Sequence, residues 1–132
     1  MPAIKKITLP VLFLAIIFMV ANKTQAQVPD EIILSLESGN SKMLSEYFNQ
    51  NVELVVLDSD NVYSKAQAKQ IVTNFFNTYT PESFSILHQG GKEGARYVIG
   101  NLKTNNGSFR VYFLLKKSDG KEYIHQLRIE KK

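Results

Sequence analysis

Only two histidines, His88 and His125, occur in a chain of 132 residues that has no cysteine. Without thiols there is no disulfide, no thiolate nucleophile and no cysteine-held zinc or iron–sulfur centre. The two histidines lack HExxH spacing and stand beside no carboxylate cluster, so no metal site is expected. Asp58 and Asp60 share a turn but fall short of the ligand count of a calcium loop. The chain has no P-loop, no GxGxxG and no G-x-S-x-G elbow, and no cofactor is expected. What remains is polar side chains in apolar strand company: Arg128 and Gln126 near the C-terminus, then Thr104, His125 and His88. These five are the candidate ligand-binding residues; no catalytic residue can be assigned.

The elements that must position them change character midway. Val28, Ile32, Ile33 and Leu36 lie at helical spacing after Pro29-Asp30, and Gly39-Asn40 ends that segment. Ser41 is placed to cap a short second helix with Met43, Leu44, Tyr47 and Phe48 on its apolar side. A strand over residues 51–57 turns at Asp58-Ser59-Asp60-Asn61 and returns through Val62 and Tyr63. Ser64-Lys65-Ala66-Gln67 forms a capping box opening a third helix. Its stripe runs Ala68, Ile71, Val72, Phe75, Phe76, Tyr79, and Pro81 ends it. Beyond that the period is two, with strands over 83–89, 95–104, 108–117 and 121–130. Asn106-Gly107 and Asp119-Gly120 are hairpin signals between the last three. Helices first and an antiparallel meander after predict an α+β fold, with three helices packed on one face of a curved antiparallel sheet.

Two-residue hairpins would fix the register. Ser118 opposite Lys121 sets Phe113 against Gln126 and Val111 against Arg128; Asn105 opposite Ser108 sets Gly100 against Phe113. The helix-covered face then carries Val98, Gly100, Leu102, Thr104, Phe109, Val111, Phe113, Leu115, Ile124, Gln126, Arg128 and Glu130. The other face carries Tyr97, Ile99, Tyr112, Leu114, Tyr123, His125, Leu127 and Ile129 among polar residues. A guanidinium enclosed beside Val111 and Phe113 needs a carboxylate or several acceptors, since leaving it unpaired is costly. Either a pocket there holds an anionic or carbonyl ligand at its polar end, or Arg128 pairs with Glu53 or Asp58 or sits at a wet rim. The aromatic, mixed outer face has the make-up of an association surface, and a homodimer through it is expected.

Residues 1–26 read as a cleavable signal peptide: Lys5 and Lys6, an apolar run from Ile7 to Ala21, then Thr24-Gln25-Ala26 before the cut. The run is too short to span a bilayer comfortably and Pro10 weakens it, so no stable membrane insertion is expected after cleavage. The protein is then periplasmic or secreted, a single domain over residues 27–132 beginning at Gln27. That span carries 13 basic and 12 acidic groups, so the basic pI of the whole chain overstates its charge. Residues 27–82 have three basic and eight acidic groups, and residues 83–132 have ten and four. The near-balance and the compartment argue against nucleic-acid binding, although basic residues alternate with Tyr and Phe. The alternating Lys and Arg suit solvent-facing strand positions, and the split could also steer an anionic partner.

The order of elements resembles a known family, as do the runs Phe109-Arg110-Val111-Tyr112-Phe113-Leu114-Leu115-Lys116 and Gln126-Leu127-Arg128-Ile129-Glu130. Val28–Asn40, Tyr63-Ser64-Lys65-Ala66-Gln67 and His88-Gln89-Gly90-Gly91 fit the same pattern. The resemblance is to small secreted bacterial domains of unknown function in the nuclear transport factor 2-like superfamily, a cystatin-like α+β cone that is commonly dimeric. Enzymes of that superfamily place Asp, His or Tyr in the cone interior. Here the expected interior offers Gln126, Arg128 and Thr104. The reading is therefore a non-catalytic envelope domain that binds a small ligand or a protein. The alternative is a small isomerase or hydratase with His88, His125 or Asp58 as base.

Overall fold

The computed structural model describes residues 27–132; the signal-peptide reading falls on residues outside that range. Helix α1 (Asp30–Ser38) buries Ile32, Ser35 and Leu36 and stops at Gly39, whose φ of 69° is the left-handed conformation a C-terminal cap requires. The short α2 (Ser41–Ser45) is capped by Asn40, not Ser41: the Met43 backbone N–H donates to Asn40 Oδ1 at 3.0 Å. Tyr47 and Phe48 fall outside it, and Phe48 opens the first strand. Helix α3 (Lys65–Thr78) begins with the expected capping box: the Gln67 N–H donates to Ser64 Oγ and the Ser64 N–H to Gln67 Oε1, both at 3.2 Å. Its stripe buries Ala68, Val72, Phe75 and Phe76, with Phe75 and Tyr79 packing edge-on to Phe109 of the sheet.

Six strands follow the chain as β1 (Phe48–Val56), β2 (Ser59–Ser64), β3 (Pro81–Lys92), β4 (Ala95–Thr104), β5 (Gly107–Ser118) and β6 (Lys121–Lys131). They form one sheet in the order β2-β1-β6-β5-β4-β3. Strands β3 to β6 are the expected meander. The pairing of β1 with β6 is parallel, so the sheet is not antiparallel throughout. Periodicity alone carries no information about such a long-range partner. Pro81 does more than end α3, since it opens β3, which runs on through Gly90 and Gly91.

The hairpin registers separate what the sequence predicts from what it does not. Ser118 pairs with Lys121 as expected, and Asp119 and Gly120 both take positive φ, as a tight primed turn demands. At the other hairpin Thr104 pairs with Gly107 rather than Asn105 with Ser108, and Gly100 faces Val111. That two-residue slide leaves every side chain on its own face, because the pleat repeats every two residues. The β5–β6 ladder is different. Leu115 pairs with Ile124 but Leu114 pairs with Gln126, so His125 is an extra residue in β6. One added residue inverts the faces beyond it. Phe113 therefore faces Leu127, not Gln126, and Val111 faces Ile129, not Arg128. Leu127 and Ile129 are fully buried, while Gln126, Arg128 and Glu130 turn away from the helices.

In its two middle rows the face under the helices is consequently apolar across the four central strands. One row across the strands reads Leu54, Leu127, Phe113, Val98; the next reads Val56, Ile129, Val111, Gly100. Gly100 is where Phe84 lies across the strand: a Cβ there would come within 2.3 Å of the ring. Ser35, Ser45 and Thr104 are the buried polar residues among those described. The first two donate to carbonyls of their own helices, Ile32 and Lys42, at 2.7 and 2.8 Å.

Candidate functional site on the outer sheet face

The inversion in β6 assembles a polar and aromatic surface on the face away from the helices. Cross-strand pairing places Asp60, Val55, Arg128, Tyr112, Ile99 and His88 in one row through all six strands. The adjacent row is Val62, Glu53, Gln126, Leu114, Tyr97 and Gly90. The β2–β1–β6 half is charged and hydrogen-bonding; the β5–β4–β3 half is aromatic and aliphatic. In the first half, Gln126 Nε2 donates to Glu53 Oε2 at 2.6 Å, and Arg128 Nε donates to Glu130 Oε1 at 3.1 Å. Glu53, Asp60, Asn61, Val62, Gln126 and Arg128 line a hollow of about 310 Å³ there. Arg128 and Glu130 are each about half exposed, so the guanidinium keeps donors available to solvent or to a partner. In the second half, Tyr97 and Tyr112 stack with ring centroids 6.2 Å apart, and the Tyr97 hydroxyl lies 3.0 Å from His88 Nε2. Gly90 permits this, since a Cβ there would meet the Tyr97 hydroxyl oxygen at 2.6 Å.

The five sequence candidates do not form one site. Gln126 and Arg128 share the hollow, on the opposite face of the sheet from the one expected. Neither takes Asp58 as partner; Glu53 binds Gln126, and Arg128 binds Glu130. His88 stands at the far edge of Arg128's row, three strands or roughly 14 Å away at ordinary strand spacing. Thr104 does face the helix side, yet its hydroxyl is spent inside its hairpin, donating to the Gly107 carbonyl at 2.7 Å and accepting from the Asn106 N–H at 3.1 Å. His125 occupies the bulge. Burial and then the Lys116 ammonium push its imidazole pKa down, and its buried Nε2 has no hydrogen-bond partner. Sequence reasoning missed Glu53 as the partner of Gln126, and it missed the bulge. The signal was present in β6: Ile124 and Leu127 are three apart in a strand whose other apolar neighbours are two apart.

A second hollow of about 720 Å³ opens at the rim, between the start of α1 and the β3–β4 hairpin. Gln27, Val28, Asp30, Ile33, Arg96 and Tyr97 contribute to its walls. At its base Arg96 forms a bidentate ion pair with Glu122, and both side chains are largely buried. Among the described residues no cluster of three His, Asp or Glu side chains could hold a metal ion.

Three helices closed by a six-stranded curved sheet define an α+β cone of the nuclear transport factor 2-like kind. Consistent with that fold, an NTF2-like protein of unknown function from Shewanella baltica superposes with a TM-score of 0.58 at 13% identity, over 76% of this chain and 85% of that one. The chain belongs to the domain-of-unknown-function family DUF4783, whose model matches residues 29–130. A DUF4783 family protein from Bacteroides uniformis is 35% identical, with a TM-score of 0.76 over 80% of this chain and 98% of that one. A second, from Bacteroides ovatus, is 34% identical, with a TM-score of 0.77 over 82% and 98% of the two chains. No curated protein matches the chain.

Proposed function

We propose that this protein is an exported, non-catalytic binding domain that recognises a protein partner through the outer face of its sheet, and that the first such partner is a second copy of itself. The observation carrying this reading is the His125 bulge. It seals the cone with Leu127 and Ile129 and turns Gln126 and Arg128 outward beside Glu53. The inward row that would line a catalytic pocket is aliphatic and aromatic. The outward face combines half-buried Tyr97, Ile99, Tyr112 and Leu114 with charges of both signs, Glu53, Asp60 and Glu130 against Arg110 and Arg128. A two-fold interface needs such self-complementarity, because the same patch supplies both sides. The histidine and aspartate bases of the enzymatic alternative lie on separate elements: His88 on an edge strand, His125 in the centre, Asp58 in the β1–β2 turn.

Native mass spectrometry of the exported protein at micromolar concentration tests the proposal. A dimer is expected, with Tyr112→Glu giving a folded monomer of wild-type circular dichroism spectrum whose melting temperature no longer depends on protein concentration. A wild-type monomer would sink the self-association reading. Turnover of a substrate that depends on Arg128 or His125 would sink the non-catalytic one.

A further inference from the structure

The Arg96 side chain helps to hold the start of the described chain in place. Arg96 Nη2 donates to the Gln27 carbonyl oxygen at 3.0 Å while the same guanidinium engages Glu122. Val28, the next residue, is 8% exposed. Gln27 itself is exposed at the mouth of the rim hollow, fastened by its carbonyl alone among the hydrogen bonds its own atoms make to described residues. We infer that Gln27, once freed by cleavage after Ala26, closes its α-amine onto its own side-chain amide and caps the mature protein with a pyroglutamyl lactam. This rests on the export reading above.

The chemistry is an intramolecular aminolysis. The α-nitrogen forms a bond to Cδ, the Cδ–Nε2 bond breaks, and one amine proton leaves with the departing nitrogen as ammonia. No electrons are transferred and no co-reactant is consumed. The five ring atoms are N, Cα, Cβ, Cγ and Cδ. The carbonyl that Arg96 holds is outside the ring, so closure leaves that hydrogen bond and the buried Val28 in place. Charge favours closure as well. An open terminus sets an ammonium on the residue whose carbonyl binds the Arg96 guanidinium, in a hollow that Lys92 also lines. Of the nearby carboxylates, Glu122 is committed to Arg96 and Glu93 to Lys117 at 3.1 Å, leaving Asp30 at the start of α1. The lactam removes the like charge and keeps an amide N–H and C=O at the mouth of the hollow.

The test uses the full precursor, exported in Gram-negative cells, purified intact from the envelope fraction and incubated with a glutaminyl cyclase. The expected product begins at residue 27, is lighter by one ammonia, resists Edman sequencing and is reopened by pyroglutamyl aminopeptidase. Gln27→Asn, which cannot form the five-membered ring, should remain open under the same treatment. A chain that begins at Gln27 and keeps its full mass overturns the lactam and leaves the cleavage reading standing. A chain that begins elsewhere overturns both.

Discussion

Replacing Leu127 and Arg128 one at a time by alanine tests the inverted register directly. In the structure Leu127 has no exposed surface and sits between Leu54 and Phe113 in the inner row. Truncating such a leucine forfeits its transfer free energy and leaves a cavity, together about 3 kcal/mol. In a domain of this size that lowers the melting temperature by roughly 12–20 °C. At a urea slope near 2 kcal/mol/M, it moves the midpoint by roughly 1.5 M with the slope unchanged. Arg128 is a half-exposed member of a surface pair with Glu130, so its truncation should shift stability by no more than about 0.5 kcal/mol. Without the bulge the two outcomes would exchange: Arg128 would leave a hole and stranded acceptors in the core, and Leu127 would be a surface residue. Paired urea titrations followed by circular dichroism decide the matter. An Arg128→Ala loss equal to or larger than that of Leu127→Ala would refute the reasoning.

Other substitutions probe single contacts. Gly100→Ala should cost about 1–3 kcal/mol through collision with the Phe84 ring; thermal unfolding should show partial recovery when Phe84→Leu is added. Glu122→Gln leaves the largely buried Arg96 guanidinium without its counter-charge and should cost about 2 kcal/mol, the usual penalty discounted for partial exposure. The double variant Arg96→Met/Glu122→Leu should recover much of that loss in denaturant titration; a double variant as unstable as the single one would contradict the assignment. His125 has its folded pKa below the unfolded value, so its contribution is full above pH about 6.5 and falls as pH drops from there through the folded pKa. The melting-temperature difference between wild type and His125→Asn should therefore shift in favour of the variant on acidification from pH 7 to 5; a difference independent of pH would show that the imidazole titrates normally.

Local signals in the sequence were strong where neighbours in the chain are neighbours in space. The capping box at Ser64 and Gln67, the stripe from Ala68 to Tyr79 and the Asp119-Gly120 turn are each dictated within a few residues. They appear in the structure as the sequence predicts. Face assignment survived the slide at the Asn105-Asn106 turn because a shift of two preserves parity. It failed after Ile124 because one extra residue does not, and that failure carried Gln126 and Arg128 from an expected pocket to the outer surface. The spacing of Ile124 to Leu127 held the warning; strict alternation through β6 overlooked it. Glu53 as partner of Gln126 was beyond reach in a different way. Their contact spans 73 residues and depends on the parallel β1–β6 pairing, which no periodicity within either strand encodes.

That central placement of β6 has a kinetic consequence. The sixth strand in chain order is the bridge of the sheet, with β1 and β2 on one side and β5, β4 and β3 on the other. Before it arrives, the two-stranded ribbon and the three-stranded meander share no hydrogen-bonded edge, and Leu54 and Phe113 lack the Leu127 that lies between them. Joining them closes a loop of many tens of residues, whose entropy is lost before the contacts compensate for it. A chain emerging N-terminus first would thus stay open until the eleven-residue β6 was available. Deleting that strand should leave two sheet fragments rather than a smaller cone.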